Sequence, residues 1–219
     1  MPTAALVKQV LSLATFVILL VSLGATGTSL GLLQANLPIQ SAYGKACFFF
    51  INYSQAISLI ESETPDFKFN MPTCKLSIAS ATIATICLVL LTAIELISVL
   101  YQINVKTLIA NIIQVGFFVG SILFLFITMV VVSAGWGKTC ATFKNITKAQ
   151  DYGPSFKFKC TEQLQKQTDS PYRPNGAEFI GAAVCAGVGT LFTIVALGLF
   201  IVKQMKSKDD YKPLNVQNE

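Results

Sequence analysis

Four long apolar stretches, separated by polar segments of very unequal length, set the plan of this chain. They run from Val10 to Leu33, Leu76 to Tyr101, Ile109 to Ser133 and Phe179 to Val202, and Glu95 is the only formal charge inside them. Each reaches the roughly 20 residues that a helix needs to cross hydrocarbon. The pattern predicts transmembrane helices over 10–33, 76–101, 107–133 and 179–202, with residues 1–9 and 203–219 as terminal segments. The turn Gln102–Lys106 has only five residues, which makes the second and third helices antiparallel neighbours. The first run starts after Lys8 and exceeds the apolar core of a signal peptide, about 7–15 residues. Gly24, Ala25 and Gly27 offer small residues for cleavage, yet cleavage would split the two long connections across the membrane or put the tail outside. The run is therefore read as a helix.

Composition agrees with a bilayer: hydrophobic residues make up 53% of the 219 and charged ones 12%, too few charges for a water-soluble surface. The two long connections, 34–75 and 134–178, carry a shared signature. In the first, Cys47 precedes the sequon Asn52-Tyr53-Ser54, then Pro65-Asp66-Phe67-Lys68-Phe69, then Cys74. In the second, Cys140 precedes Asn145-Ile146-Thr147, then Pro154-Ser155-Phe156-Lys157-Phe158, then Cys160. Disulfides and glycan transfer to asparagine belong to the secretory lumen or the cell exterior. Both loops are thus expected outside and both termini in the cytoplasm, with N-linked glycans as the expected modification and no other cofactor. The count of Lys and Arg runs against this orientation, six inside and ten outside, seven of the ten lying between Lys138 and Arg173. A folded, disulfide-closed loop translocates despite such charges, so the cysteines and sequons decide.

Phe67-Lys68-Phe69 and Phe156-Lys157-Phe158 alternate with the period of a half-buried strand, and Cys47 to Ile51 is rich in aromatic residues. The expected fold class is an all-α membrane protein, a four-transmembrane-helix bundle with a small disulfide-stapled extracellular β region from both loops. The alternative for these phenylalanines is packing onto the membrane surface. Four loop cysteines allow three connectivities. The repeat favours Cys47–Cys74 and Cys140–Cys160, and a sheet spanning both loops equally permits cross-loop bridges. Cys87 and Cys185 fall within spans and read as small buried hydrophobes.

A carboxylate in hydrocarbon needs a partner. Asn111 and Gln114 lie at similar depth to Glu95 across the short turn and are expected to donate to it; contact with a partner helix, ion binding and proton carriage are the functional alternatives. Small residues recur at helical spacing at Gly27 and Gly31, Ser80 and Ala84, Gly116 and Gly120, and Gly181, Cys185 and Gly189. Such positions let helices approach closely, either within the bundle or against another protein, for which the fourth helix is the candidate. The tail places Lys203, Lys206 and Lys208 beside the bilayer, where they suit anionic headgroups. Its Tyr211-Lys212-Pro213-Leu214 matches the tyrosine-based pattern read by clathrin adaptors.

The chain contains no histidine, the commonest general base, and no phosphate-binding loop, nucleophile constellation or zinc-ligand spacing. An enzyme is not expected, nor a nucleic-acid partner, since the +5 charge is spread over both sides.

The chain resembles the transmembrane protein 179 family. The resemblance rests on Gly44-Lys45-Ala46-Cys47, Cys74-Lys75-Leu76-Ser77, Ser133-Ala134-Gly135 before Cys140, Cys160-Thr161-Glu162-Gln163 and the tail Tyr211-Lys212-Pro213-Leu214. It covers nearly the whole chain and implies the four-span topology, with little said about activity. The only tryptophan, Trp136, opens the second loop rather than sitting in the first as in claudins, and the Cys-Cys-Gly of tetraspanins is absent. Each loop has two cysteines where connexins have three. The expected function is that of an accessory or scaffolding subunit beside a larger membrane protein, a channel or a receptor, at the plasma membrane or an endosomal or vesicle membrane. A self-assembling channel or junction protein and a vesicle sorting protein are the rivals.

Overall fold

The computed structural model of the protein describes residues 2–36, 39–41, 44–46, 49–51, 71–101, 108–149, 160–161 and 175–209. Four helices occur among them: α1 (Pro2–Asn36), α2 (Met71–Tyr101), α3 (Leu108–Ala149) and α4 (Gly176–Asp209). Each contains a stretch long and apolar enough to cross a membrane, at Gln9–Asn36, Pro72–Leu100, Ala110–Ile146 and Gly176–Lys206. The chain is a tetraspan membrane protein. Each helix packs on its neighbours in chain order and α4 closes the ring against α1, an up-down-up-down bundle whose most extensive contact is α1 with α4.

The polarity of the bundle is inverted relative to a water-soluble one. Leu20, Ile86, Leu123 and Leu191 point outward, while Ser22, Ser29, Ser80, Thr128 and Thr193 are buried. Lipid tails are as apolar as leucine, so sequestering leucine gains nothing there, and helices associate instead through close packing and interhelical hydrogen bonds. The apolar core divides into two clusters. One joins Leu33, Phe49, Cys74, Ala81, Val132, Trp136 and Phe179; the other joins Leu19, Leu88, Leu91, Phe118, Leu125 and Phe200.

Helix α3 does not stop at Ser133, where the apolar run ends, but continues to Ala149. The cause is a second, amphipathic pattern. Trp136, Thr139, Cys140, Phe143 and Ile146 recur at helical spacing and are all buried, while Lys138, Ala141, Lys144 and Asn145 are exposed. At 1.5 Å per residue its 42 residues span about 63 Å, twice the roughly 30 Å of a hydrocarbon core.

The β structure is described only in part. Strands β1 (Ile39–Ser41) and β2 (Gly44–Ala46) form an antiparallel hairpin inside the first connection, with Ile39 opposite Ala46. Phe49 and Phe50 make a turn rather than a strand. Instead of alternating between faces, Phe49 is pulled into the bundle core. Phe67–Phe69 and Phe156–Phe158 lie outside the described residues.

Candidate functional site: a buried ion pair, a central stripe and a cap

At the end of the bundle where α2 and α4 finish, Glu95 is fully buried and does not bond to Asn111 or Gln114. Its Oε2 accepts from Ser12 Oγ of α1 at 3.2 Å and from Lys203 Nζ of α4 at 3.0 Å. Lys203 also donates to Ser12 Oγ at 3.0 Å, closing a triangle over three helices. The fourth is tied in beside it, because Gln204 Nε2 donates to Asn111 Oδ1 at 2.9 Å. Gln114 is half-buried and makes no hydrogen bond among the described residues. Lys203 ends an apolar run and reads in sequence as the first residue of a solvated tail. Its long apolar stem lets the ammonium reach a partner well away from its own Cα, here inward to the buried carboxylate. Once neutralised and hydrogen-bonded, Glu95 presents no free charge to lipid or to another protein. Removing one partner from a buried pair leaves the other uncompensated, at a cost of about 3–5 kcal/mol.

In the middle, α1 and α4 are stitched by hydroxyl groups. Ser22 Oγ donates to the Gly189 carbonyl at 2.9 Å and lies 2.7 Å from Thr193 Oγ1; Ser29 Oγ donates to the Ala182 carbonyl at 2.8 Å. A Cβ at Gly189 would lie 2.9 Å from Thr26 Oγ1, so this glycine permits the approach. Gly181 abuts Leu32 and Cys185 is half-buried. The α4 stripe expected to dock another protein is thus used inside the bundle at both of its glycines. On the opposite pair, Ser80 and Thr128 meet at 2.8 Å and Ala84 is buried. Gly116 and Gly120 of α3, and Gly27 and Gly31 of α1, have nothing within 4 Å of where a Cβ would stand. Spacing marks such stripes in sequence, whereas the face each one occupies is set by its neighbours.

The other end carries a cap. Asn175 caps α4: its Oδ1 accepts from Ala177 N at 3.1 Å, and its Nδ2 donates to Glu178 Oε1 at 2.9 Å. The sequence does contain this signal, an asparagine followed three residues later by glutamate. Glu178 also accepts from Asn36 Nδ2 at the end of α1. Trp136 stacks on Phe179 at 5.1 Å between ring centroids, and Phe49 meets Phe179 edge-on at 5.2 Å. The Cys140–Cys160 disulfide, with Cα atoms 5.7 Å apart, brings the Cys160 carbonyl to Trp136 Nε1–H at 3.2 Å. Gly176 sits so close to that carbonyl that no Cβ fits. The first connection is fastened to α3 as well. Phe50, in the left-handed region at φ 59°, donates its N–H to the Gly135 carbonyl, and Ile51 is bonded to Thr139 and Thr142 on its two sides.

Cys74 is also disulfide-bonded. Cys47, Asn52, Tyr211 and Leu214 lie outside the described residues, whereas Asn145 stands exposed on the projecting part of α3. No family model, curated protein or solved structure matches the chain. The family resemblance therefore rests on the short motifs alone.

Proposed function

We propose that the protein is a non-enzymatic tetraspan glycoprotein acting as an accessory or scaffolding subunit of a larger membrane protein complex, a channel or a receptor. One observation carries this reading. Ser12, Glu95, Lys203, Asn111 and Gln204 bond to one another inside the bundle, while α3 offers lipid the open Gly116–Gly120 face, with Ile112, Val119 and Leu123 exposed nearby. A small-residue face of that kind admits the backbone of a foreign helix. The cap provides a rigid surface for a second contact.

In this reading the cap is outside and both termini are cytoplasmic, in line with the disulfides and with Asn52 and Asn145 as glycan acceptors. Residence at the plasma membrane or an endosomal membrane, with Tyr211 and Leu214 engaging a clathrin adaptor, completes the proposal, as does membership of the transmembrane protein 179 family. The test is purification of the tagged chain in gentle detergent, with native mass and identification of companions by mass spectrometry. A stoichiometric larger membrane protein, lost on changing Gly116 and Gly120 to leucine and retained when Glu95 and Lys203 are both changed to methionine, is the expected result. A homogeneous ring of this chain alone would replace the reading with a self-assembling channel or junction.

A further inference from the structure

Glycan acceptors of the Asn-x-Ser/Thr pattern belong on surface loops, yet Asn145-Ile146-Thr147 lies within helix α3, which runs on to Ala149. Transfer needs the asparagine and the residue two further on together in one enzyme site, and a helix turns positions two apart to different faces. The middle residue is a second obstacle, because Ile146 is fully buried. Asn145 itself is exposed. The folded cap therefore has room to keep a glycan at Asn145 but no means of presenting the acceptor to a transferase.

What holds 134–149 helical decides when the acceptor is available. By composition the segment is a weak helix, with Gly135 and Gly137 and the β-branched Thr139 and Thr142. A helical segment this short depends on tertiary packing of its buried face. Two groups that supply such packing come later in the chain than Asn145: Cys160, through its bond to Cys140, and Phe179, against Trp136. When Asn145 emerges, neither has been made. Cys160 follows 15 residues behind, about 1–3 s at a synthesis rate of roughly 5–20 residues per second. We propose that N-glycosylation of Asn145 competes with closure of the Cys140–Cys160 disulfide, so that the finished protein occurs in two forms, with and without a glycan on the projecting part of α3. The proposal rests on the reading of the cap as extracellular. In the transfer, the Asn145 amide nitrogen bonds to the anomeric carbon of a lipid pyrophosphate-linked oligosaccharide and loses a proton, and the lipid pyrophosphate departs with the electron pair. In the competing step the two thiols lose two electrons and two protons to the disulfide of an oxidoreductase, and the acceptor is locked in the helix.

The test expresses the full chain in cells and reads occupancy at Asn145 and Asn52 separately, by mass spectrometry of peptides freed of glycan in heavy-oxygen water. Asn145 is expected to be partly occupied. Cys160→Ser, or reductant present during synthesis, should cut the unmodified fraction at Asn145 at least threefold. Ala141→Gly, at an exposed position, weakens the helix without touching the core and should act in the same direction with the disulfide retained. It serves if Cys160→Ser fails to accumulate. Folded, unmodified protein given a transferase and its lipid-linked donor should stay unmodified. Complete occupancy in the unaltered chain, transfer to the folded protein, or an unmodified fraction that neither variant changes would overturn the proposal. Asn145 left bare in every form while Asn52 is glycosylated would also overturn it, and would leave the extracellular cap standing. Bare asparagines at both positions would instead remove the extracellular reading, and this competition with it.

Discussion

The two ends of this bundle are closed by different means. Where α2 and α4 finish, closure among the described residues is made by side chains of the helices themselves, through Ser12, Glu95 and Lys203 with Asn111 and Gln204 beside them. At the cap, closure draws also on chain outside the helices: a disulfide to Cys160, the Phe49 ring set edge-on against Phe179, and backbone bonds from Phe50 and Ile51. The difference follows from connection length. Five residues join the second and third spans at one end, and there the polar helix ends satisfy each other. Long connections at the other end supply covering groups, but ordering them costs conformational entropy, which the disulfide and the core-inserted Phe49 offset.

Breaking each end separately tests the contrast. The largest effect is expected from Lys203→Met, which strands Glu95 as a buried charge and should cost about 3–5 kcal/mol; unfolding in mixed micelles measures it. Adding Glu95→Met should return most of that loss, because replacing both partners of a buried pair with apolar groups is often neutral. Cys140→Ser should cost about 3 kcal/mol for a loop closed over 20 residues. It should also redden the emission of Trp136, the only tryptophan in the chain, while leaving the Glu95–Lys203 end intact. If Lys203→Met shifts that emission equally, the two ends are not independent. Between them, Gly189→Val should cost about 1–3 kcal/mol by overpacking against Thr26. Gly116→Ala, with open space around it, should be neutral or slightly stabilising in the same assay. The smallest effect should come from Asn111→Leu together with Gln204→Leu. Removing both partners of a neutral pair changes stability by about 1 kcal/mol or less, visible as a small midpoint shift.

How far the sequence reveals this arrangement depends on the kind of signal. The four spans are legible because about 20 apolar residues admit few other readings in a chain so poor in charge. The continuation of α3 is also written in the sequence, in the spacing of Trp136, Cys140, Phe143 and Ile146, but Gly135, Gly137 and the lysines mask it when hydropathy alone is followed. The partner of Glu95 is hidden for a geometric reason. Equal depth pointed to Asn111, whereas the length of the Lys203 side chain and the closure of α4 on α1 decided the contact. The direction each glycine stripe faces is not local information at all. The Asn175–Glu178 cap, by contrast, is purely local and could have been read.

The unbroken run of α3 has a mechanical consequence. A helix without a hinge from Leu108 to Ala149 behaves as a single strut, clamped near one end by Gln204 and near the other by the cap. A sideways load applied at Thr139 or Cys140 has no joint in which to dissipate. It passes instead along α3 into its packing with α2 and α4 and on to the Asn111–Gln204 bond at the far end.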